Sequence, residues 1–468
     1  MSLARKGSLV GIALAALLTF AAVPLSATET KDEKLQQLEA EVAALRAAVA
    51  ELKAALAAAP PAAPAAARAP SAAELERRID LLAAELEKLR LGEAAVVADT
   101  GQHGLGPAAS KVYRKEKGVS IGGYGEMLYQ GFDDRRDDGS ASGRTDQLDF
   151  LRAVLYVGYK FDDKWLFNSE IEWEHAADDK AGEVAVEFAY LDRLIRPEIN
   201  ARAGLLLLPM GFLNELHEPT VYLGARRPGV ETQIIPSTWR ENGLGLFGEL
   251  GPVAYKSYLV NGLDASGFTA AGLRGGRQKG SQAKAEDLAW VSRLDWSLAP
   301  GLLLGGSWYW GDSGQGRKDA AGATLGVETR ILEGHVEWKW RGLQLRALAA
   351  EAELDDVAAL DQSLGLSGRA GVGEKMRGGY IEAGFDLLSL GGGSRQELIP
   401  YVRLEQLDTQ ARVPAGYQSN PANDQKIRTY GFAWKPLPQI VLKADYQDLS
   451  NRAGTGVDQF NLLMGFVY

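Results

Sequence analysis

Charged side chains set among apolar ones are where this sequence could do chemistry, and one stretch concentrates them. Residues 211–239 read GFLNELHEPTVYLGARRPGVETQIIPSTW and hold Glu215, His217, Glu218, Arg226 and Arg227, with Arg240 just beyond. Prolines and apolar residues among the charges mark a loop that packs against a wall. Folded into an enclosed space, it would set its charges beside passing solutes, where a low-dielectric wall strengthens their effect. The expected chemistry is electrostatic selection at a constriction. Arg226 and Arg227 would attract anions, Glu215 and Glu218 would oppose them, and His217 and Arg240 complete the set. The alternative is an external loop whose charges are solvated.

Covalent or metal chemistry finds no comparable support. The four histidines, His103, His175, His217 and His335, are scattered and show neither HExxH nor His-x-x-x-His spacing. A hydrolase would need a serine near one of them, which the sequence does not suggest. The absence of cysteine removes disulfides, c-type haem attachment, cysteine-based metal sites and a lipidated cysteine. Gly243, Gly245 and Gly248 spell GxGxxG, but Gly251 and Pro252 follow where a dinucleotide site needs a helix. On a sheet wall these glycines would make room for an inward loop. Asp133, Asp134, Asp137 and Asp138 could hold calcium, although such runs are more often solvated. No catalytic residue, cofactor or metal is expected, and a formal charge of -10 leaves no footprint for nucleic acid.

The elements that must position the loop alternate with period two. Leu151, Ala153, Leu155, Val157 and Tyr159 share a face against Arg152, Val154, Tyr156 and Gly158; Trp165, Phe167, Ile171 and Trp173 oppose Asn168, Glu170, Glu172 and Glu174. One face of each strand suits lipid and the other water, the signature of a transmembrane β-barrel. A soluble sandwich alternates too, but without recurrent long polar loops. Short links at 161–164, 196–198, 251–252, 299–301, 341–342 and 436–438 alternate with long ones at 133–145, 264–286, 312–328, 355–374 and 408–425. About sixteen antiparallel strands are expected between Val119 and the last residue. In the final one Phe460, Leu462, Met464, Phe466 and Tyr468 share a face, fit to close the barrel and anchor it at an interface. Trp165, Trp296, Trp310 and Trp340 fit two aromatic girdles. Inward positions carry both signs: Arg152, Arg202, Arg293, Arg346 and Arg403 against Glu170, Glu172, Glu187, Asp295, Glu337 and Glu405. These could form a basic column that favours anions, or neutralise one another across strands.

The N-terminal part reads differently. Arg5 and Lys6 precede an apolar run from Leu9 to Ala22 and small residues ending at Ala27, which predicts a signal peptide over 1–27. Leu35, Leu38, Val42, Leu45, Val49, Leu52 and Leu56 form a heptad seam within 31–58. An Ala/Pro linker over 59–70 interrupts it. Leu75, Ile79, Leu82, Leu86 and Leu89 resume it over 71–92, and 93–117 is assigned to a second linker before the barrel at 118–468. The seams suit self-association, with a trimer expected, or a helical pair folded on itself.

Three passages carry a family resemblance: SIGGYGEMLYQ, GEVAVEFAYLDRLIRPEINARAGLLLLPMGFLNELHEP and VETQIIPSTWRENGLGLFGEL. Over Val119 to Tyr468 they look like outer-membrane porins of the phosphate-selective O/P type. The resemblance implies a trimeric sixteen-stranded barrel whose third outer loop folds inward, with basic residues guiding anions or phosphate. Arginine-lined phosphate porins bring a lysine cluster to the pore mouth, and residues 211–239 hold no lysine. What carries over is therefore the fold and a channel for passive diffusion, not an enzyme. The expected setting is a Gram-negative outer membrane with the stalk in the periplasm. Expected partners are its lipid and lipopolysaccharide, the barrel-assembly machinery and, through the stalk, the cell wall. A structural envelope tether is the alternative role.

Overall fold

The computed structural model describes residues 101–177, 182–391 and 395–468. The signal peptide and both heptad seams, from Leu35 to Leu56 and from Leu75 to Leu89, lie outside the described residues.

Sixteen strands run in chain order: β1 (Gly118–Phe132), β2 (Gln147–Lys160), β3 (Trp165–Glu174), β4 (Glu183–Arg196), β5 (Ile199–Leu207), β6 (Arg240–Leu250), β7 (Val253–Asn261) and β8 (Leu288–Ala299) form the first half. β9 (Leu302–Asp312), β10 (Glu328–Trp340), β11 (Leu343–Leu354), β12 (Lys375–Phe385), β13 (Glu397–Arg412), β14 (Asp424–Leu437), β15 (Ile440–Asn451) and β16 (Gln459–Val467) form the second. Each pairs antiparallel with its chain neighbours, and β1 closes on β16 with Tyr124 opposite Val467 and Phe132 opposite Gln459. The expected closed barrel of sixteen strands is the one observed. A closed barrel leaves no unpaired edge strand, so the ladder of backbone hydrogen bonds runs all the way round the wall.

The period-two pattern sorts side chains as a barrel wall requires. In β16, Gln459, Asn461, Leu463, Gly465 and Val467 are buried within, while Phe460, Leu462, Met464 and Phe466 face out. Leu244, Leu332 and Ile381 stand on the outer face at 61%, 66% and 64% exposure. Trp165, Trp296 and Trp340 are exposed near the end that carries the short turns, and Trp290 and Trp310 near the end that carries the long loops. Such a continuous apolar belt between two aromatic rings is costly in water and suited to a bilayer. No described helix is long and apolar enough to cross a membrane.

Two expectations need correcting. The last long loop is shorter than 408–425, because β13 continues to Arg412 through pairs such as Leu407 with Gln425 and Lys375 with Arg412. Above an apolar belt a strand needs no apolar face, so the loss of alternation came before the end of the ladder. The space beside Gly243 and Gly245 is taken by Val260 and Tyr258 of β7, not by an inward loop. Glycines that do admit the loop sit elsewhere. A Cβ on Gly465 would lie 2.5 Å from Pro219, and one on Gly378 would lie 2.9 Å from Val230.

Candidate functional site

The connection from β5 to β6 leaves the wall at Leu208 and crosses the lumen. Pro219, Phe212, Leu213, Val230, Ile234, Ile235 and Trp239 bury nearly all of their surface there. The far wall receives the loop through backbone contacts. Glu405 accepts from Val230 N at 2.6 Å, Asp445 from Ala225 N at 2.7 Å, and Lys443 donates to Gly224 O at 3.0 Å. Arg403 donates to Arg226 O at 3.1 Å, Arg346 to Val221 O at 3.3 Å, and Arg293 to Gly211 O. Inside the loop, Glu231 ties Leu213 N and the Tyr380 hydroxyl, each at 2.7 Å. Inward arginines of β8, β11 and β13 thus act as donors to the loop backbone.

A second occupant is the chain ahead of β1. Residues 101–113 lie against the inner wall, and a short 3-10 turn at Lys111–Arg114 is their only regular structure. Leu105, Ala108, Ala109 and Val112 are buried. Asn168 of β3 donates to Ala109 O at 2.9 Å, and Val112 packs where a Cβ on Gly158 of β2 would sit. The Tyr113 hydroxyl donates to Asp192 at 2.6 Å and accepts from Arg202 at 2.7 Å. His103 stacks edge-on against Tyr113 and against Phe247 of β6. This part of the stretch assigned to a linker is packed inside the barrel.

Segment and loop meet at two carboxylates. Glu218 Oε1 accepts from both Ala108 N and Ala109 N at 3.0 Å, while its buried Oε2 has no partner. Burial pushes the Glu218 carboxyl up to about 7, against the two amides that favour its charged form. Glu215 takes the Lys256 ammonium of β7 at 2.6 Å. His217 sits between Glu170, 3.0 Å from Nε2, and Asn214 O, 3.0 Å from Nδ1. Burial disfavours its charge, but the Glu170 carboxylate outweighs burial and holds the imidazole above its ordinary pKa.

Of the other candidates, Arg240 pairs with Glu187 at 2.5 Å and Arg202 with Asp192 at 2.8 Å. Arg152 serves Glu172 at 2.8 Å, Glu126 at 3.4 Å and Glu174 at 3.5 Å. Arg293 pairs with Asp295, Arg346 with Glu337 and Arg403 with Glu382. These inward charges are largely neutralised between strands. Arg226 and Arg227 differ, since neither forms a salt bridge among the described residues. Arg226 is enclosed by protein yet open to water, and Arg227 is half-buried, with one guanidinium nitrogen unbonded and itself shut off from water.

Sequence reasoning missed Arg274 and Arg277, in the 262–287 connection between β7 and β8. That connection folds over the mouth, where Ala270 O accepts from Thr409 at 2.6 Å and from Asn423 at 2.8 Å. Burial and the nearby Arg227 guanidinium lower the Arg274 pKa, and burial with Arg274 pushes Arg277 down to about 9. Neither has a carboxylate within salt-bridge distance among the described residues. The signal was RGGR at 274–277, which a loop of mostly small residues made easy to read as solvated.

His335 lies between Glu333 at 2.7 Å and Asp295 at 2.9 Å. Ser307 gives its hydroxyl to Glu333, so it does not form a serine–histidine pair. No group of three or more potential metal ligands gathers among the described residues, the aspartates at 133–138 included.

Fold and site together define a closed antiparallel barrel whose lumen is crossed by its own chain. The chain is 39% identical over 370 residues to a protein of Aquifex aeolicus (strain VF5) described as an uncharacterized protein, covering 77% of this chain and 82% of that one. It belongs to the same family as that protein. No family model matches. Among solved structures it is similar to Salmonella typhi OmpF in complex with daunomycin (TM-score 0.49, 11% identity, 76% of this chain and 99% of that one). It is also similar to the loop L8 deletion mutant of OmpT, an outer membrane protein of Vibrio cholerae (TM-score 0.47, 10% identity, 76% and 100%).

Proposed function

We propose that this chain is an outer-membrane channel for passive diffusion of small hydrophilic solutes and ions, with a preference for anions. The membrane setting is supported by the apolar outer belt between aromatic rings and by a lumen lined with charge. One observation carries the anion preference. Around the constriction the carboxylates Glu126, Glu172, Glu187, Glu215 and Glu218 are buried with Arg152, Arg240 and Lys256, while Arg226 and Arg274 are open to water and Arg227, Arg277 and Glu174 partly so, a balance of positive charge. Charge that water can reach is charge that a permeating ion meets, and here it is positive. Phosphate is one member of the class so selected.

The test is the reversal potential of single channels under a salt gradient. Wild type is expected to favour the anion, and Arg226→Ala with Arg227→Ala to move the potential toward cation preference. An unchanged potential removes the pair from the selectivity site. The signal peptide, homotrimer, lipopolysaccharide contact, barrel-assembly machinery and periplasmic stalk belong to the same proposal and rest on sequence. A tether to the cell wall would be an added role of the heptads, lost when residues 35–91 are deleted while conduction persists.

A further inference from the structure

The segment at 101–113 makes no ladder with any strand, although it touches the wall from β1 to β7. Its contacts lie at one level. Gly122 of β1, Gly158 of β2, Asn168 of β3, Asp192 of β4, Arg202 of β5, Phe247 of β6 and Lys256 of β7 each stand two to four residues from the turn end of their strand. At about 3.4 Å per residue, this ring sits roughly 10 Å inside the barrel. The inner loop holds the opposite side, against β8, β11, β12, β13, β15 and β16, and reaches back to β1, β3 and β7 through Tyr222, His217 and Glu215. The two occupants therefore share the lumen between them.

How the segment is held sets it apart from the loop. The loop is anchored at both ends in the wall, by β5 and β6, whereas among the described residues the segment joins a strand at its C-terminal end alone, by β1. Side chains fix the rest: Glu218 to two amides, Asn168 to one carbonyl, Asp192 with Arg202 to the Tyr113 hydroxyl, and Lys111 Nζ to Ile121 O of β1 at 3.3 Å. Its buried apolar groups are mostly small, namely two alanines, a leucine and a valine. Glu116 and Lys117, next to the first paired residue of β1, are exposed and can act as a hinge. Moving the segment would break no strand pairing.

We propose that residues 101–113 are a releasable plug, an internal occupant bound to the wall of β1–β7 that sets the conductance of the channel until it swings out on the 114–117 hinge. The proposal rests on the channel reading. Because the segment is covalently continuous with the chain that precedes residue 101, a pull on that extension is a pull on the plug.

The full chain has no cysteine, so a disulfide can lock the plug. Val112→Cys with Gly158→Cys places the two Cβ positions 2.6 Å apart, against about 3.8 Å in a disulfide, so the segment must give by about 1 Å. In planar bilayers the reduced pair is expected to visit a state of about twofold higher conductance, as befits vacating about half the wall, and the oxidised pair to lose it. A second variant, Tyr113→Phe with Asn168→Ala and Glu218→Ala, is expected to dwell in the larger state. It should also admit trypsin at Lys111, which is buried in the wild type.

Identical conductance in oxidised and reduced channels overturns the plug while leaving the channel intact. Cleavage at Lys111 with unchanged conductance does the same. If the triple variant neither opens nor becomes cleavable, the named attachments do not hold the segment and the proposal fails. A folded barrel that passes no ions in any form sinks the channel reading itself.

Discussion

Two titratable groups outside the strands meet at the segment and pull in opposite directions. Burial, helped by the Arg202 guanidinium, pushes the His103 imidazole down to about 4. Its folded pKa lies below the unfolded value of about 6.5, so the stability it contributes is lost as pH falls from about 6.5 to about 4. Glu218, raised to about 7, behaves inversely. It binds its proton more tightly when folded, so stability is gained as pH falls from about 7 to about 4.5. The windows overlap and the wild-type profile should be nearly flat between them. His103→Phe, which keeps the ring packing, should unmask rising stability on acidification, and Glu218→Gln should unmask falling stability. Denaturant unfolding at a series of pH values reads both slopes. Parallel profiles for the two variants would refute the assignment. The proton of Glu218 has a place to go, since Oε2 is unbonded while Oε1 carries both amides. Acidification should therefore leave that attachment in place.

At the scale of elements, the inner loop was legible because its composition is unlike that of a solvated loop. Its charged residues stand out in the sequence as a group, but their partners do not. The Lys256 ion pair to Glu215 and the Lys443 bond to Gly224 O join residues 41 and 219 positions apart. Nothing in a single sequence reports register across a lumen. The plug escaped for another reason. Leu105, Val112 and Tyr113 follow neither period two nor period 3.6, and an irregular segment held by side chains has no period to detect. The loop's seat on the wall can be probed at Gly465, where a Cβ would lie 2.5 Å from Pro219. Gly465→Val should lower stability by about 1–3 kcal/mol through overpacking. Gly334→Val, where nothing lies within 4 Å, should be close to neutral. Equal unfolding midpoints for the two variants would place the loop elsewhere.

For the whole molecule, alternation, loop lengths and the closing strand were enough to expect the barrel, because lipid on one side and water on the other impose the same period on every strand. Where the wall rises above the apolar belt the constraint lapses, and β13 was read too short. The belt makes a direct prediction. Leu244, outward on β6, should lose about 2–4 kcal/mol of stability on Leu244→Arg in a bilayer if it faces the hydrocarbon midplane. At an ordinary solvated site the same change stays within about 0.5 kcal/mol. A near-neutral result in refolding into lipid vesicles would argue against a membrane-facing belt.

The seam between β1 and β16 also bears on how the molecule comes to exist. It joins the first strand to the last, so it closes the longest loop in the barrel and bears the largest chain-entropy cost. The contacts of residues 101–113 with β1–β7 close shorter loops and can form while the sheet is still open. A half-made barrel would then curl around its own leading segment, which serves as a former for the wall before it serves as an obstacle in the lumen. Loss of that segment should slow the final closure more than it weakens the finished ring.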